Sequence, residues 1–215
     1  MYFGLICLLV VIVNMKHGLL YLFRSIHHYF LSRSRFDIHS PFVYNFYSEV
    51  VKDKTDYAEY HATFEKASYR NTLLSNKGCR LLFRLSLHYK PNNILILGTD
   101  DKACTSYLSS GYPGSHLINI CDNPGLIADS GLFDMVIVSP DHSVNDYRHY
   151  FSLIMQHIHN DSVLVFCDIH GSNEMHEMWN EIKKHSSVTL TIDLFTLGLV
   201  FCKEELTKED FILRF

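Results

Sequence analysis

After Pro91 the hydrophobic period of the sequence changes, and this change restricts the fold more than any other pattern in the chain. Short apolar runs rich in Ile and Val recur from there on, as in strands that are buried on both faces. We predict strands at residues 94–97, 117–121, 133–138, 162–167, 188–193 and 198–202. Helical spacing fills several intervals, at 103–110, 144–158 and 174–185. Strands that alternate with helices predict an α/β fold with an open, mostly parallel sheet.

Two intervals depart from a simple alternation of strands and helices. Only a few residues around Gly198 join the last two runs, whereas a parallel pair needs a crossover of a dozen or more residues. We therefore predict a C-terminal antiparallel hairpin. The stretch between Asp122 and Phe133 is too short for a helix, a further strand and two loops. The first half of the sheet is therefore predicted to be truncated.

The residues ahead of the predicted sheet divide into two parts. Residues 17–72 are interpreted as a helical extension, because apolar residues recur at helical spacing in 19–31 and Ser40-Pro41 is typical of a helix start. Residues 73–215 are assigned to the sheet-forming domain.

Residues 1–16 form a separate apolar segment. The uninterrupted apolar run from Tyr2 to Val13 is shorter than the roughly 20 residues that a spanning helix needs. We interpret the segment as a packed N-terminus or as residues ahead of a true start at Met15. A weak membrane anchor through residues 2–13 is the alternative.

Composition limits the class of protein. The chain has 215 residues, of which 47% are hydrophobic, which is enough for one domain with a core. A net charge of −4 gives no basic footprint, so nucleic acid is not expected as a partner. The six cysteines contain no CxxC pair, which favours a reduced, cytoplasmic protein over a disulfide framework.

The polar residues that follow the predicted strands are the candidate site residues, because ligands of open α/β sheets bind beyond the carboxyl ends of the strands. They are Gly98, Thr99 and Asp100 after the first strand, Asp122 after the second, Ser139, Asp141 and His142 after the third, and Asp168 and His170 after the fourth. We expect these strand ends to meet at one edge of the sheet.

The loop after the first strand discriminates between cofactors. Asp100 and Asp101 would repel a pyrophosphate, and Gly98 alone leaves little room for close phosphate approach. NAD and ATP are therefore disfavoured. A cationic ligand with a ribose, such as S-adenosylmethionine, tolerates an acidic loop, and Asp122 is placed to accept hydrogen bonds from ribose hydroxyls.

Several longer stretches resemble a known family. These are "RFDIHSPFVYNF", "LLFRLSLHYKPNNILILGT", "FDMVIVSPDH", "SVLVFCDIHGSNEMHEMW" and "TIDLFTLGLVF". In order and spacing, from Ile38 to Phe201, they are similar to a bacterial family of class I S-adenosylmethionine-dependent methyltransferases with motifs of the type HSPFV, ILELGT and DDIHWS.

The resemblance implies a Rossmann-like methyltransferase sheet and O-methyl transfer to a small-molecule acceptor. It places the cofactor contacts at Gly98, Thr99, Asp100, Thr105, Asp122 and Ser139. The catalytic residues that it implies are Asp168, His170 and His142. Asp168, with Asp141 as a weaker second ligand, would hold Mg²⁺.

Departures from the family pattern leave an alternative open. The acidic residue of the family's first strand is Ile96 here, its second glycine is Lys102, and the Trp of its DDIHWS motif is Gly171. The alternative is a catalytically degenerate relative, a pseudoenzyme that acts as a binding or scaffold module. A shortened sheet would also expose apolar surface, which the N-terminal helices or a second copy of the chain, as a homodimer, would cover.

Overall fold

The computed structural model describes residues 18–66, 74–98, 102–120, 127, 131–139 and 147–215. The helices are α1 (residues 18–31), α2 (Pro41–Phe46), α3 (Ala58–Lys66), α4 (Asn76–Tyr89), α5 (Lys102–Gly111), α6 (Tyr147–Ile154) and α7 (Asn173–Lys184). The strands are β1 (Asn93–Leu97), β2 (His116–Ile120), β3 (Phe133–Val138), β4 (Ile158–Cys167), β5 (Leu190–Asp193), β6 (Leu197–Phe201) and β7 (Glu209–Ile212). A 3-10 turn spans Arg35–Asp37, and α2 continues into a π-helical turn at Tyr47–Val51.

The seven strands form one sheet in the order β2-β1-β3-β4-β6-β5-β7. All neighbouring pairs are parallel except those made by β6, which runs antiparallel to β4 and β5. The predicted C-terminal hairpin is therefore confirmed, with Asp193 paired to Gly198. Among the described residues no strand lies beyond β2, which agrees with the predicted truncation.

The core forms two layers because successive strand residues point to opposite faces of the sheet. Ile94 and Ile96 of β1 belong to the layer under α2, α4 and α5, whereas Leu95 and Leu97 belong to the layer under α6 and α7. Burial on both faces explains why β1 and β3 are apolar apart from Asn93 and Asp134 near their starts. Trp179 of α7 is among the largest fully buried side chains of the second layer.

The predicted start of β4 was wrong. This strand begins at Ile158, four residues before the predicted start, and part of the predicted helix 144–158 gives way to it. The polar residues at its start are held by β3, since Phe133 pairs with Ile158 and His159 Nε2 lies 3.0 Å from Asp134 Oδ1. A register shift in β3 accompanies this pairing.

The N-terminal extension packs on the sheet domain. Val43 and Phe46 of α2 lie in the same apolar layer as α4, so the extension shares its core with the sheet. Ser40 caps α2 by accepting a hydrogen bond from the Val43 amide, as the sequence predicts. Residues 1–16 lie outside the described residues. No helix in the described part of the chain is both long enough and apolar enough to cross a membrane.

Candidate functional site

The ends of β1, β2 and β3 meet at Gly98. The Gly98 amide donates to the Ile120 carbonyl at 3.2 Å, and the Ser139 amide donates to the Leu97 carbonyl at 2.8 Å. Gly98 has a φ of +98°, and a Cβ at this position would lie 2.3 Å from the Ser139 carbonyl oxygen. Only glycine fits this turn without strain. Because β2 and β3 flank β1, Gly98 lies at the point where strand order reverses, which is where such sheets bind ligands.

This cradle fits the first loop of a cofactor site. The Ser139 carbonyl oxygen lies where a Cβ on Gly98 would stand, so the ends of β1 and β3 are in close contact, and Ser139, which follows β3, is buried. The other predicted contacts at this edge, Thr99, Asp100 and Asp122, lie outside the described residues. Thr105 lies on α5, where it lines a cavity of about 340 Å³ shared with α3.

Asp168 follows β4 in a left-handed backbone conformation, with a φ of 53°. Its amide donates to the Thr196 carbonyl at 2.6 Å, and its own carbonyl accepts from the Gly171 amide at 2.9 Å. The carboxylate folds back over Gly171 so closely that a Cβ there would lie 1.8 Å from Asp168 Oδ2. Glycine at position 171 therefore makes room for this carboxylate.

A cavity of about 530 Å³ opens beside Asp168. It is lined by Gly18, Tyr21, Leu74, Ser75, Asp168, Gly171 and Thr196. Burial raises the pKa of the Asp168 carboxyl, and the positive charge of His170 opposes this only in part. Burial also raises the pKa of the Tyr21 hydroxyl, with a further contribution from the charge of Asp168. A carboxyl with a raised pKa in a cavity is suited to accept a proton.

His170 points to a buried cluster of imidazoles around Asp193. His170 Nε2 lies 2.9 Å from Asp193 Oδ2, and His28 Nε2 of α1 lies 3.1 Å from Asp193 Oδ1. His170 Nδ1 lies 3.0 Å from His176 Nδ1, and its ring stacks on Phe195 with the centroids 5.1 Å apart. We call His28, His170, His176 and Asp193 the histidine cluster.

The hydrogen bonds of the histidine cluster assign the protons that face Asp193. Because the Asp193 carboxylate only accepts, His28 and His170 each donate to it from Nε2, and His170 Nδ1 shares a further hydrogen bond with His176 Nδ1. Burial alone would raise the pKa of Asp193, but the hydrogen bonds from His170 and His28 outweigh it and hold this pKa well below its ordinary value. Burial, with the charges of Arg24, His170 and Lys183, lowers the pKa of His176.

Arg24 of α1 fastens the turn that connects Asp168 to α7. One terminal nitrogen donates to the His170 carbonyl at 3.0 Å and to the Ser172 carbonyl at 3.1 Å. The other donates to Asn173 Oδ1 at 2.7 Å. Arg24, His28 and Asp193 are not among the site residues predicted from the sequence. Asp193 ends a predicted strand, so the same rule that selected Asp168 applies to it.

The structure places three of the predicted residues on consecutive strand ends. Leu97 pairs with Val138, and Val138 pairs with Phe166, so Gly98, Ser139 and Asp168 follow one another across the edge of the sheet. His170 instead lines a second cavity, of about 460 Å³, between α1 and α7.

The predicted Asp141 and His142 lie outside the described residues. Within the part of the chain that the structure describes, no three His, Cys, Asp or Glu side chains come together as metal ligands. Magnesium held by Asp168 and Asp141 stays a prediction.

The chain is similar to known proteins in its structure but not in its sequence. No protein-family model matches the chain, and no curated protein does so. The motif-level resemblance to a bacterial family therefore stays a prediction.

Several solved methyltransferase structures are similar to the chain. SAH-bound PaMTH1 from Podospora anserina has a TM-score of 0.56 at 10% identity, over 78% of this chain and 98% of that chain. A methyltransferase from Geobacter sulfurreducens has a TM-score of 0.54 at 12% identity, over 77% and 98%. The O-methyltransferase TomG from Streptomyces achromogenes, in complex with SAM, has a TM-score of 0.50 at 15% identity, over 74% and 95%. The chain therefore has the Rossmann-like fold of these methyltransferases.

Proposed function

We propose that this protein is an S-adenosylmethionine-dependent methyltransferase that acts on an oxygen of a small molecule. The observation that carries the proposal is the position of Asp168. Its carboxyl group, with a raised pKa, lines a cavity of about 530 Å³ two strands away from the glycine turn at Gly98. A cofactor over Gly98 and an acceptor beside Asp168 would thus lie side by side at the carboxyl edge of the sheet.

The roles of the residues follow from this arrangement. Gly98 and Ser139, with Thr99, Asp100 and Asp122, would hold the cofactor, which would supply a methyl group on a positively charged sulfur. The Asp168 carboxylate would take the proton of the acceptor hydroxyl as that oxygen takes the methyl group and the sulfur leaves with the bonding electron pair. Alignment of the oxygen with the methyl group provides most of the acceleration.

His170 acts in this proposal as a positioning residue. Its ring is fixed by Asp193, its carbonyl is fixed by Arg24, and it precedes the Gly171 on which the Asp168 carboxylate rests. The turn is thereby held in the strained conformation that directs Asp168 into the cavity. His142, which the resemblance implies as a catalytic residue, stays a prediction.

Cofactor binding is the first expected result, measured by isothermal titration with S-adenosylmethionine and S-adenosylhomocysteine. The wild type is expected to bind both. Gly98→Ala is expected to weaken binding by more than about tenfold, because its Cβ strains a left-handed backbone and presses on the Ser139 carbonyl.

Gly131→Ala is the matched control, because a Cβ at Gly131 has nothing within 4 Å. It is expected to bind like the wild type, and thermal melting of both variants shows whether they fold. A folded wild type that binds neither ligand at millimolar concentration contradicts the proposal and favours the degenerate alternative.

A further inference from the structure

Helix α1 directs polar side chains towards the protein and large apolar side chains away from it. On its inner side, Arg24 donates to the His170 and Ser172 carbonyls, and His28 bonds to Asp193. We define the outer face of α1 as Leu19, Leu22, Phe23, Ile26 and Phe30, all of which are exposed. The exposed fraction reaches 79% at Phe30.

The outer face forms one continuous apolar stripe, because its positions recur at intervals of three and four residues. A surface helix normally places such a stripe on the core and its polar residues in water. Here Arg24 and His28 make part-buried hydrogen bonds to the sheet domain, and the apolar stripe is left outside. A contiguous exposed apolar patch of this kind marks an interaction surface.

The sequence around α1 is positively charged, although the chain as a whole is negative. The first 36 residues contain Lys16, Arg24, Arg33 and Arg35 and no Asp or Glu, whereas the whole chain carries a net charge of −4. Arg33 and Arg35 are exposed just after the end of α1. The charge that adjoins the outer face is therefore opposite to that of the remaining molecule.

A cationic cleft opens along one side of the outer face. The cavity of about 460 Å³ between α1 and α7 is lined by Phe23 and Leu31 of α1 together with Arg24, Lys183 and Asn180. Its one carboxylate, Asp193, is already bonded to His28 and His170. The cleft thus offers positive charge and amide donors beside apolar side chains.

We propose that the outer face of α1 docks on the surface of an anionic phospholipid bilayer. An amphipathic helix with large apolar residues, bordered by basic residues, is the type of helix that lies in the interface of a membrane. The sequence ahead of α1 adds the apolar run Tyr2–Val13 and Lys16 to the same end of the chain. A second copy of α1 would instead bring the basic residues of two chains together. This proposal does not depend on methyl transfer.

The test is co-sedimentation of the full chain with lipid vesicles. The wild type is expected to bind vesicles of phosphatidylcholine and phosphatidylglycerol at least about tenfold more tightly than vesicles of phosphatidylcholine alone, since each basic residue near an anionic surface adds attraction. The double variant Ile26→Glu, Phe30→Glu is expected to lose binding by about tenfold or more without a change in melting temperature. Leu132→Glu is the matched control, because Leu132 is also exposed but precedes β3, at the opposite edge of the sheet.

Four outcomes would overturn the proposal. Equal binding to neutral and anionic vesicles would show that the basic residues do not contribute to docking. No binding to either would show that the outer face does not dock on lipid. A dimer in lipid-free light scattering that the double variant dissociates would assign the outer face to a second copy of the chain. A lowered melting temperature of the double variant, with no vesicle binding by the wild type, would mean that the chain covers this face itself.

Discussion

Asp193→Ala is expected to lower the free energy of unfolding by about 3–5 kcal/mol, because it removes the one carboxylate that accepts from two buried imidazoles. It also removes the acceptor for the Phe195 amide, which lies 2.8 Å from Asp193 Oδ1. Without Asp193, His28 and His170 keep buried nitrogen donors that have lost their acceptor. For a chain of this length the melting temperature is expected to fall by roughly 10 °C.

Asp56→Ala is the matched control for this substitution. Asp56 Oδ2 lies 3.1 Å from His61 Nε2, much as in the buried pairs, but both side chains are 67% exposed. We expect a change within about 1 kcal/mol, because water replaces the lost partner at the surface. Equal effects at Asp193 and Asp56 would show that the histidine cluster contributes no more than a surface pair.

The pH dependence of stability gives a second measurement on Asp193. Its pKa in the folded protein lies below that in the unfolded chain, so the unfolded state takes up a proton first as the pH falls. The stabilisation is therefore fully present above about pH 4 and declines below it, as the pH approaches the folded pKa. Chemical unfolding between neutral pH and about pH 3 is expected to show a smaller loss for Asp193→Asn than for the wild type.

The strands whose bounds are predicted best from the sequence are those that are buried on both faces. The bounds of β3, Phe133–Val138, agree with the prediction because every residue but Asp134 is apolar. The start of β4 and the whole of β7 were missed because they contain His159, Asn160, Glu209 and Asp210, which are partly or fully exposed. These residues are in strands because of their partners β3 and β5, and local periodicity carries no information about partners.

The candidate site divides in the same way. The rule that polar residues at strand ends meet at one edge places Gly98, Ser139 and Asp168 together, and it extends to Asp193. The strand-end rule cannot identify Arg24, because Arg24 lies on a helix and its hydrogen bond to the His170 carbonyl joins residues 146 positions apart. That contact depends on where α1 lies on the sheet domain. It explains why His170, predicted from its position alone, has its ring in a buried cluster.

Asp168→Asn is expected to reduce the rate of methyl transfer by about 10²–10⁴-fold, because an amide cannot accept the proton of the acceptor hydroxyl. Asparagine has nearly the same shape and tolerates the left-handed backbone at this position, so the cavity and the turn are expected to persist. The measurement is the release of S-adenosylhomocysteine with a panel of small hydroxylated acceptors, alongside titration of the cofactor. Cofactor affinity is expected to stay within about twofold, because the residue lies beyond the cofactor cradle.

The pH profile separates a proton acceptor from a merely structural residue. Because burial raises the pKa of Asp168, the wild-type rate is expected to rise with pH through a value above the ordinary carboxyl pKa of about 4. Thr196→Val changes the wall of the same cavity and is expected to keep this rise of the rate with pH, whereas Asp168→Asn is expected to lose it.

Asp168→Gly tests whether Asp168 is needed for stability as well as for the reaction. It relieves the left-handed strain and is expected to stabilise the fold by about 1 kcal/mol while it abolishes transfer. A strained residue whose replacement stabilises the protein is retained for its chemistry. If Asp168→Gly instead destabilises the protein and Asp168→Asn transfers at the wild-type rate, the carboxylate has a structural role and the proton passes to another group, of which His142 is the predicted one.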